Sequence, residues 1–277
     1  MTKVYNTGET DEELRQEYNP EGSNLRKAQL RLLDMAIYLQ ETARKIGVSC
    51  RLDGGNVLGA VRHGGFIPWD DDIDVVVEYK DYKKLARYLK DHPHPDYVFQ
   101  DEETDPDSLL PWGRLRDLKT EYVSSADPNS REGKAYQLQK FKGLQLDIFP
   151  YEGYMIPWLQ HFAAKLSCVV YFDLAGKHKG LAKFLFKTLD KVVFPIFRGF
   201  GHLFGDKNNY MHTYGAWFYF KFPKDVLVPH KDIQFEGYTF EGPANVDAML
   251  KSIYKDYTTL PPKEKRAVHS SEIRFLE

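Results

Sequence analysis

The sequence has few cysteines, no excess of either charge and no long apolar run. Its two cysteines, Cys50 and Cys168, are too few for a disulfide framework, which favours a reducing compartment. Lys and Arg total 38 against 40 Asp and Glu, a net charge of −2, which argues against a dedicated nucleic-acid binder. No apolar run approaches the roughly 18 residues of a membrane span, and the polar, acidic start of the chain is unlike a signal peptide. We therefore expect a soluble cytoplasmic protein.

What is present is a globular composition that is rich in aromatic side chains. The 277 residues are 42% hydrophobic and 28% charged, which is typical of one large domain or two small ones. Aromatic residues reach 14%, with 18 Tyr and 18 Phe. This aromatic content is high and requires an explanation.

The pattern of apolar residues predicts three segments. Residues 1–22 are charged and punctuated by Gly and Pro, which indicates a loose N-terminal arm or a short helix. Residues 23–153 alternate helices with strands, as a mixed α and β core does. Residues 154–277 contain apolar-aromatic stretches that predict helices, then short strands and turns, and a last helix over 243–254. We expect an α+β fold with a helix-rich C-terminal half.

Within the second segment the periodicity is clear. Apolar residues at three- and four-residue steps predict a helix from Leu25 to Ile46, ended by Gly47. β-branched residues predict a strand at 73–77, and strict alternation predicts another at 144–149. The other predicted elements are strands at 48–52, 97–100 and 114–118 and helices at 56–62 and 79–90.

Three aspartates accompany the two apolar strands. Asp72 and Asp74 alternate with apolar residues, so both carboxylates lie on one face of the first strand, and Asp147 has the same placement on the second. If these strands are neighbours, the three carboxylates meet, and two charges ~4 Å apart repel by about 4 kcal/mol at an effective dielectric of 20. Such a cluster requires a cation, and oxygen ligands with open positions favour Mg²⁺ or Mn²⁺.

Other interpretations of the acidic run fit less well. An acidic turn in solvent is the ordinary explanation of three consecutive Asp, but this run leads into a strand of buried type that itself carries Asp74. An EF-hand loop requires Gly where Val75 stands and Glu where Asp81 stands. A glycosyltransferase of the Asp-x-Asp kind does not explain the glycine-rich turn upstream.

That glycine-rich turn predicts a phosphate site. Gly54 and Gly55 let backbone N–H groups approach an anion, and the short helix that follows points its positive end at them. Arg62 offers a bidentate contact to phosphate oxygens, whereas His63 is either a phosphate contact or a loop histidine bonded to backbone. A diglycine turn, a short helix, a loop and an Asp-x-Asp strand are together the layout of a nucleotidyltransferase.

Residues 55–76, GNVLGAVRHGGFIPWDDDIDVV, closely resemble the signature of the LicD phosphotransferase family, which includes the fukutin-related proteins. Residues 146–150 resemble the second motif of that family. The closing motif is matched by residues 235–237, Pro243, residues 250–262, Arg266 and His269. The likeness spans roughly residues 25–270, although Asn56 stands where the family usually has Thr and Lys255 where Gly commonly follows Tyr.

The resemblance implies a nucleotidyltransferase-like core of the polymerase-beta type, with a mixed sheet flanked by helices. It implies transfer of a phospho-alcohol from a CDP-alcohol donor, with release of CMP. In bacterial members the group is phosphocholine, carried by CDP-choline and placed on a sugar hydroxyl of a surface glycan such as lipopolysaccharide or of a lipid-linked glycan. By position, the metal ligands and catalytic residues are Asp72, Asp74 and Asp147, and the donor contacts are Gly54, Gly55, Asn56, Arg62, His63, Arg266 and His269.

Roles for the surrounding residues follow from their positions. Asp147, on the separate strand, is the candidate to accept or orient the proton of the acceptor hydroxyl. Asp70 and Asp71 are expected to cap the loop or to support the ligands. We expect Phe66 and Trp69 to anchor this loop in the core.

Two alternatives and several choices of substrate stay open. The protein is otherwise a nucleotidyltransferase that transfers the nucleotide itself and expels pyrophosphate, or a non-catalytic scaffold of the same fold. The sequence does not distinguish choline from ethanolamine, glycerol or ribitol. An aromatic cage for a quaternary ammonium would suit this chain, but the sequence does not indicate which rings form it.

Residues 177–207 are basic and amphipathic. They carry seven Lys or Arg and two Asp among apolar residues at near-helical spacing. Such a segment is either a pair of core-packed helices with a lysine face in solvent or a peripheral contact with an anionic membrane. The second alternative would place the protein at the inner face of the membrane.

Overall fold

The computed structural model describes residues 4–266 and 268–276. The α-helices are α1 (Asp11–Tyr18), α2 (Asn24–Lys45), α3 (Gly54–His63), α4 (Tyr79–Asp91), α5 (Arg131–Leu138), α6 (Pro157–Cys168), α7 (Lys179–Thr188), α8 (Phe194–Phe204), α9 (Lys224–Leu227) and α10 (Val246–Tyr254). The strands are β1 (Arg51–Leu52), β2 (Ile73–Glu78), β3 (Tyr97–Gln100), β4 (Gly113–Asp117), β5 (Thr120–Ser124), β6 (Gln145–Gly153), β7 (Asn209–His212), β8 (Phe222–Pro223), β9 (Lys231–Phe235), β10 (Tyr238–Gly242) and β11 (Ser270–Phe275). Two π-helical stretches, Val169–Leu174 and Leu189–Val193, follow α6 and α7.

Nine strands form one mixed sheet. Its order is β3-β4-β6-β2-β1-β10-β9, and β7 pairs with the far end of β6 and with β8. Strand β2 runs parallel to β6 and β1 parallel to β10, whereas the other pairs are antiparallel. Strands β5 and β11 form a separate two-stranded sheet. The expected α+β fold with a mixed sheet is therefore confirmed.

The two faces of the sheet border different hydrophobic cores. Ile73 and Val75 of β2 enter a core that they share with α2. Val76 of β2 and Phe149 of β6 enter a second core, which includes residues of α6, α7 and α8. Because side chains alternate along a strand, Asp74 lies on the same face as Val76, toward the second core.

Most predicted elements of the core are present with small shifts at their ends. The side chain of Ser23 caps α2 by accepting a hydrogen bond from the N–H of Arg26, and Gly47 adopts φ +67° just after the helix. The strand predicted at 48–52 is limited to 51–52, and the short helix begins two residues earlier than predicted, at Gly54.

Of the two forms expected for the N-terminal residues, a loose arm or a short helix, the structure shows a short helix that packs against the core. Leu14 of α1 is fully buried. Tyr18 packs its ring edge-on against Trp69, with centroids 5.2 Å apart, and Trp69 and Phe66 lie in the core as expected. Residues 4–22 are therefore part of the core rather than a loose arm.

The C-terminal part contributes strands as well as helices. Strands β7 to β10 join the sheet that carries β2 and β6, and β11 pairs with β5 across the length of the chain. The sequence analysis did not predict β5, β7, β11 or α5. In the part of the chain that the structure describes, every helix is too short or too polar to cross a membrane.

Candidate active site

The two acidic strands lie side by side. Strands β2 and β6 pair in parallel with Asp74 as the register partner of Asp147, and the apolar residues on either side pair in the same register. Register partners share a face of the sheet, so both carboxylates project toward the second core, with Asp72 just before the start of β2. Asp74 and Asp147 thus lie side by side, with Asp72 two positions before Asp74, whereas the three donor atoms that come within 4.8 Å of one another among the described residues belong to a different set. A common metal site of Asp72, Asp74 and Asp147 stays a prediction.

Asp70 and His269 extend this acidic cluster. Among the described residues, one set of three potential metal ligands has donor atoms within 4.8 Å of one another, namely Asp70, Asp72 and His269. The His269 side chain is 63% exposed, and its Nε2 lies 4.0 Å from Asp70 Oδ1. The sequence predicted Asp70 as a supporting residue and His269 as a donor contact, and both lie at the edge of the cluster.

The acids perturb one another. Burial raises the pKa of Asp72 to about 6; the nearby His269 acts in the opposite direction, and Asp71 and Asp147 add to the rise. Burial, followed by the charges of Asp72 and Asp147, raises the pKa of Asp74 well above its usual range. Arg114 beside Asp147 offsets part of this repulsion, and a divalent cation would offset more of it.

These properties fit a divalent metal ion. Carboxylate oxygens in a buried patch, with pKa values raised first by burial and then by one another's charge, are a donor set that Mg²⁺ or Mn²⁺ compensates. Asp72, Asp74 and Asp147 as its ligands, and the choice between the two metals, remain predictions.

The diglycine turn lies against the acids. A Cβ atom at Gly55 would lie 3.4 Å from Asp70 Oδ2, and Gly54 has φ +47°, a conformation that favours glycine. In the first turn of α3, the N–H groups of Asn56 and Val57 donate to the carbonyl oxygen of Asp53 at 3.0 and 3.4 Å, so the diglycine N–H groups are the ones that could face an anion beside the cluster.

Asn56 has a different role from the donor contact that was predicted. Its Nδ2 donates to the carbonyl oxygen of Asp72 at 3.2 Å, and its Oδ1 accepts from the N–H of Asp74 at 2.7 Å. Because both ends of the amide bind the backbone of the acidic strand, Asn56 positions the acids.

Arg62 binds backbone carbonyl oxygens of the closing motif, and its predicted contact with the donor stays a prediction. It lies in the last turn of α3, about 12 Å along the helix from Gly54 at 1.5 Å per residue. Its guanidinium donates to the carbonyl oxygens of Tyr257 and Thr259, at 3.4 and 3.2 Å, and its Nε lies 2.9 Å from His63 Nε2.

His63 and Arg266 bind residues of the N-terminal segment, and the predicted contact of each with the donor stays a prediction. The buried ring of His63 has its Nδ1 2.5 Å from Asp11 Oδ1. Arg266 donates through both Nη atoms to Glu9, at 2.9 and 2.7 Å, and through Nε to the carbonyl of Pro261. His63 thus connects residues 4–22 to the end of α3, and Arg266 connects them to the closing motif.

Asp71 connects the acidic loop to the closing motif. Its buried carboxylate accepts from the backbone N–H of His269 at 3.1 Å and from the N–H and hydroxyl of Ser270 at 2.8 and 2.5 Å. These bonds bring a motif some 198 positions away in sequence up to the acids.

Two residues that the sequence analysis missed hold Asp147. Trp112 Nε1 and Arg114 Nε donate to Asp147 Oδ1 at 2.5 and 2.6 Å. Arg114 is the register partner of Asp147 on β4. An arginine within an apolar strand indicates such a role. Its partner could be identified only once β4 was known to lie next to β6.

A second missed pair lies beside the diglycine turn. Asp53, the residue before α3, has its Oδ2 3.0 Å from His212 Nε2, and both residues are buried. Burial alone pushes the pKa of Asp53 upward, but the hydrogen bond from His212 and the charges around it hold this pKa below its ordinary value. The ionised form of Asp53 is therefore favoured next to the acidic cluster.

Comparison with known proteins agrees with this geometry. Residues 47–168 match the family model described as LicD/FKTN/FKRP, nucleotidyltransferase domain, a range that contains the diglycine turn and both acidic strands. The lipopolysaccharide cholinephosphotransferase LicD of Haemophilus influenzae is 27% identical to this chain, over 91% of this chain and 98% of its own length. The ribitol 5-phosphate transferases FKRP of Mus musculus and Homo sapiens are 46% identical over 50 residues, 16% of this chain and 10% of theirs.

An acidic cluster on paired strands, a glycine-rich helix start beside it and full-length likeness to a transferase define the class of this protein, which is a transferase. More narrowly, residues 47–168 match the LicD family model, and the chain resembles a LicD protein over nearly its whole length.

Proposed function

We propose that this protein transfers a phospho-alcohol group, first of all phosphocholine, from a CDP-alcohol to a sugar hydroxyl and releases CMP. The acceptor is a cell-surface or lipid-linked glycan such as lipopolysaccharide. The observation that carries the proposal is the pairing of Asp74 with Asp147 beside the diglycine turn. Full-length similarity to a cholinephosphotransferase supports it. We also assign the core to the nucleotidyltransferase-like folds of the polymerase-beta type.

The proposed cofactor is Mg²⁺ or Mn²⁺, held by Asp72, Asp74 and Asp147, with Asp70 and His269 at the edge of the same cluster. When bound, such an ion neutralises the donor's diphosphate and stabilises charge on the leaving phosphate oxygen. The raised pKa of Asp72 and Asp74 supports this assignment, because bound metal would offset their repulsion.

Residues of the chain bind the donor and accept the proton of the acceptor hydroxyl. The N–H groups at Gly54 and Gly55 bind the donor's phosphates. Asp147 uses Oδ2, the oxygen that Trp112 and Arg114 leave open, to accept the proton of the acceptor hydroxyl. The acceptor oxygen forms a bond to the phosphorus that carries the alcohol, and the phosphorus–oxygen bond to CMP breaks with the electron pair leaving on CMP.

The test is a panel of CDP-choline, CDP-ethanolamine, CDP-glycerol and CDP-ribitol with Mg²⁺ and an acceptor glycan, with CMP measured. We expect metal-dependent release of CMP by the wild type and by Asp34→Asn, an exposed acid on α2, and its loss in Asp74→Asn. Pyrophosphate with a nucleotidylated acceptor would instead establish the nucleotidyltransferase alternative. Absence of turnover together with absence of Mg²⁺ and CDP-alcohol binding by calorimetry would establish a scaffold.

We assign residues 23–153 as the catalytic core and residues 154–277 as the part that completes the domain around donor and acceptor. The second core supports this, because it joins residues of β2 and β6 to α6, α7 and α8. The bonds from Asp71 to the closing motif support it as well.

We further propose that the protein meets a lipid-linked acceptor at an anionic membrane surface. The outer faces of α6, α7 and α8 expose large apolar side chains at helical spacing. These side chains are a group rather than the scattered single apolar residues that most protein surfaces carry. They are Trp158 (69% exposed), Phe162 (50%), Leu181 (49%), Phe184 (66%), Ile196 (52%), Phe200 (49%), Leu203 (75%) and Phe204 (74%), here called the apolar face. The rings of Phe162 and Phe197, 6.4 Å apart, join α6 to α8.

The charges around the apolar face are positive. Lys165, Lys187 and Lys207 are exposed and have no ion-pair partner within the described ranges. By contrast, Lys179 and Lys183 both pair with Asp107. The contact surface thus extends beyond the predicted 177–207 to α6, and unpaired lysines beside exposed rings are typical of helices that lie on anionic lipid.

A further inference from the structure

We propose that a cavity beside the diglycine turn binds the quaternary ammonium of the donor alcohol and so selects choline over neutral alcohols. The inference rests on the proposed function, which it deepens by naming the group that the site recognises. Its walls include the carboxylate side chains of Asp53 and Asp74 and the rings of Phe149, His212, Phe218, Phe220, Phe222 and Tyr254.

The cavity lies where the alcohol end of the donor would be. Gly54, Gly55 and Asp74 line it, so it shares one wall with the acidic cluster and another with the proposed phosphate site. Choline is a short alcohol, with two carbons between its oxygen and its nitrogen. A choline esterified to a phosphate at the diglycine turn would therefore carry its nitrogen into a pocket that directly adjoins that turn.

The rings meet at steep angles and form a corner. Phe149 and Phe218 have centroids 5.1 Å apart and planes at 83°, and Phe149 and His212 have centroids 5.4 Å apart and planes at 85°. Rings at such angles present their electron-rich faces in different directions around a common space, which is the arrangement of an aromatic cage. Phe218 and Phe220 are 36% and 37% exposed, so packing in the core does not account for them.

The cavity wall carries two carboxylates, those of Asp53 and Asp74, and His212 and Arg51 offset part of the charge of Asp53. Asp53 is 6% exposed; its Oδ2 accepts from His212 Nε2, and its Oδ1 is buried with no hydrogen-bond partner in the described part of the chain. A buried carboxylate oxygen without a partner is costly. A cation that donates no hydrogen bonds, held between this oxygen and aromatic faces, would relieve that cost.

The size and polarity of the cavity argue against the other parts of a donor that could occupy it, the cytosine ring and a ribitol or glycerol chain. Its volume is about 120 Å³. An engineered protein cavity of about 150 Å³ holds benzene, which has six heavy atoms, so a trimethylammonium group with four fits here and a substituted cytosine ring does not. A ribitol or glycerol chain would need hydrogen-bond partners along its hydroxyls, and most of this wall is aromatic.

The test compares CDP-choline with the CDP-ester of 3,3-dimethylbutanol, in which carbon replaces the charged nitrogen. In the wild type we expect kcat/KM to favour CDP-choline by about three- to thirtyfold, the range of cation–π attraction. Phe218→Leu and Asp53→Asn should each reduce this preference. Tyr219→Leu should leave it unchanged, because Tyr219 stacks on His161 at 4.3 Å and does not line the cavity.

Each result bears on one proposal. Equal use of the two donors, or an undiminished preference in Phe218→Leu, would overturn the cavity assignment while the transferase function stands. Turnover of CDP-ribitol or CDP-glycerol but not CDP-choline would do the same. If no donor releases CMP, the proposed function fails, and calorimetry of CDP-choline against CMP then decides the cavity. Tighter binding of CDP-choline that depends on Phe218 upholds it, and equal binding overturns it.

Discussion

At the scale of single residues, ionised Asp72, the form that the proposed metal would bind, lowers the stability of the metal-free protein. Burial raises its pKa from 3.8 in the unfolded chain to about 6 in the folded protein. The folded state therefore holds this proton more tightly, and ionisation of Asp72 costs stability as pH rises from about 4 through 6. A rise of this size in the pKa corresponds to a cost of at most about 3 kcal/mol, which is present in full above about pH 6 and absent below about pH 4.

We expect metal-free Asp72→Asn to unfold at a higher temperature than the wild type at pH 8, with the difference shrinking toward pH 4. Mg²⁺ should raise the Tm of the wild type by more than that of the variant, because the variant lacks one proposed ligand. Differential scanning fluorimetry with and without chelator at both pH values measures this, with Asp34→Asn as control. A metal-free variant that is less stable than the wild type at pH 8 would contradict the electrostatic account.

Trp112 offers a second prediction at this scale. Its indole N–H donates to Asp147 Oδ1, and a hydrogen bond to a charged group is worth about 1.5–3 kcal/mol. Trp112→Phe should therefore lower kcat about tenfold or more, because Asp147 loses its orientation, with little change in KM for the donor. Trp217→Phe is the matched control, since Trp217 packs against Trp112 at 5.0 Å and its buried N–H has no partner among the described residues. Equal effects of the two substitutions would show that packing, and not the hydrogen bond, matters.

Asp147, the proposed proton acceptor, can be tested directly. Asp147→Asn keeps the shape of the side chain but removes its charge, so turnover with donor and acceptor both saturating should fall by orders of magnitude. Near-normal turnover under these conditions would remove Asp147 from proton transfer.

At the scale of elements, β11 depends on a single carboxylate. Asp71 accepts three hydrogen bonds from His269 and Ser270 at the start of this strand. Asp71→Asn places an amide N–H group where an acceptor is needed, so we expect amide hydrogen exchange in residues 270–275 to accelerate at least tenfold, with weaker metal affinity as His269 shifts. Ser271→Ala, which loses only exposed bonds to carbonyls of β5, is the control. Unchanged exchange would show that pairing with β5 alone holds β11.

Local patterns predicted the elements whose signals are local. Helix α2 has an apolar stripe and a serine cap, and β2 is β-branched with acids at alternate positions, so both were found close to their true bounds. The convergence of Asp74 and Asp147 followed from alternation plus one assumption, that the two strands are neighbours.

The rest depends on contacts between distant residues. Arg266 pairs with Glu9, and the indole of Trp112 reaches Asp147 only because β4 lies next to β6. Strands β5 and β11 complete each other from distant parts of the chain. No periodicity within one segment carries such information, so the supporting contacts of the site were missed although its acids were found.

At the scale of the whole molecule, distant segments close around β2. The N-terminal helix packs on Trp69, His212 from β7 reaches Asp53, and the closing motif binds Asp71. The helices that expose the apolar face belong to the second core, on the side of the sheet toward which Asp74 projects. A membrane contact through this face would therefore involve the half of the molecule that holds the site.

The replacement of Leu203 and Phe204 by Glu tests this contact. Burying two such side chains contributes about 1.5–3 kcal/mol each, so binding to vesicles that contain anionic lipid should weaken at least tenfold. CMP release with a water-soluble acceptor should stay at the wild-type level, since the two residues lie at the C-terminal end of α8 and are about three-quarters exposed. Leu30→Glu, on the exposed side of α2, should bind vesicles like the wild type. Flotation measures all three proteins on neutral and anionic vesicles, and a wild type that floats with neither vesicle removes the membrane proposal while leaving the chemistry of the acidic cluster intact.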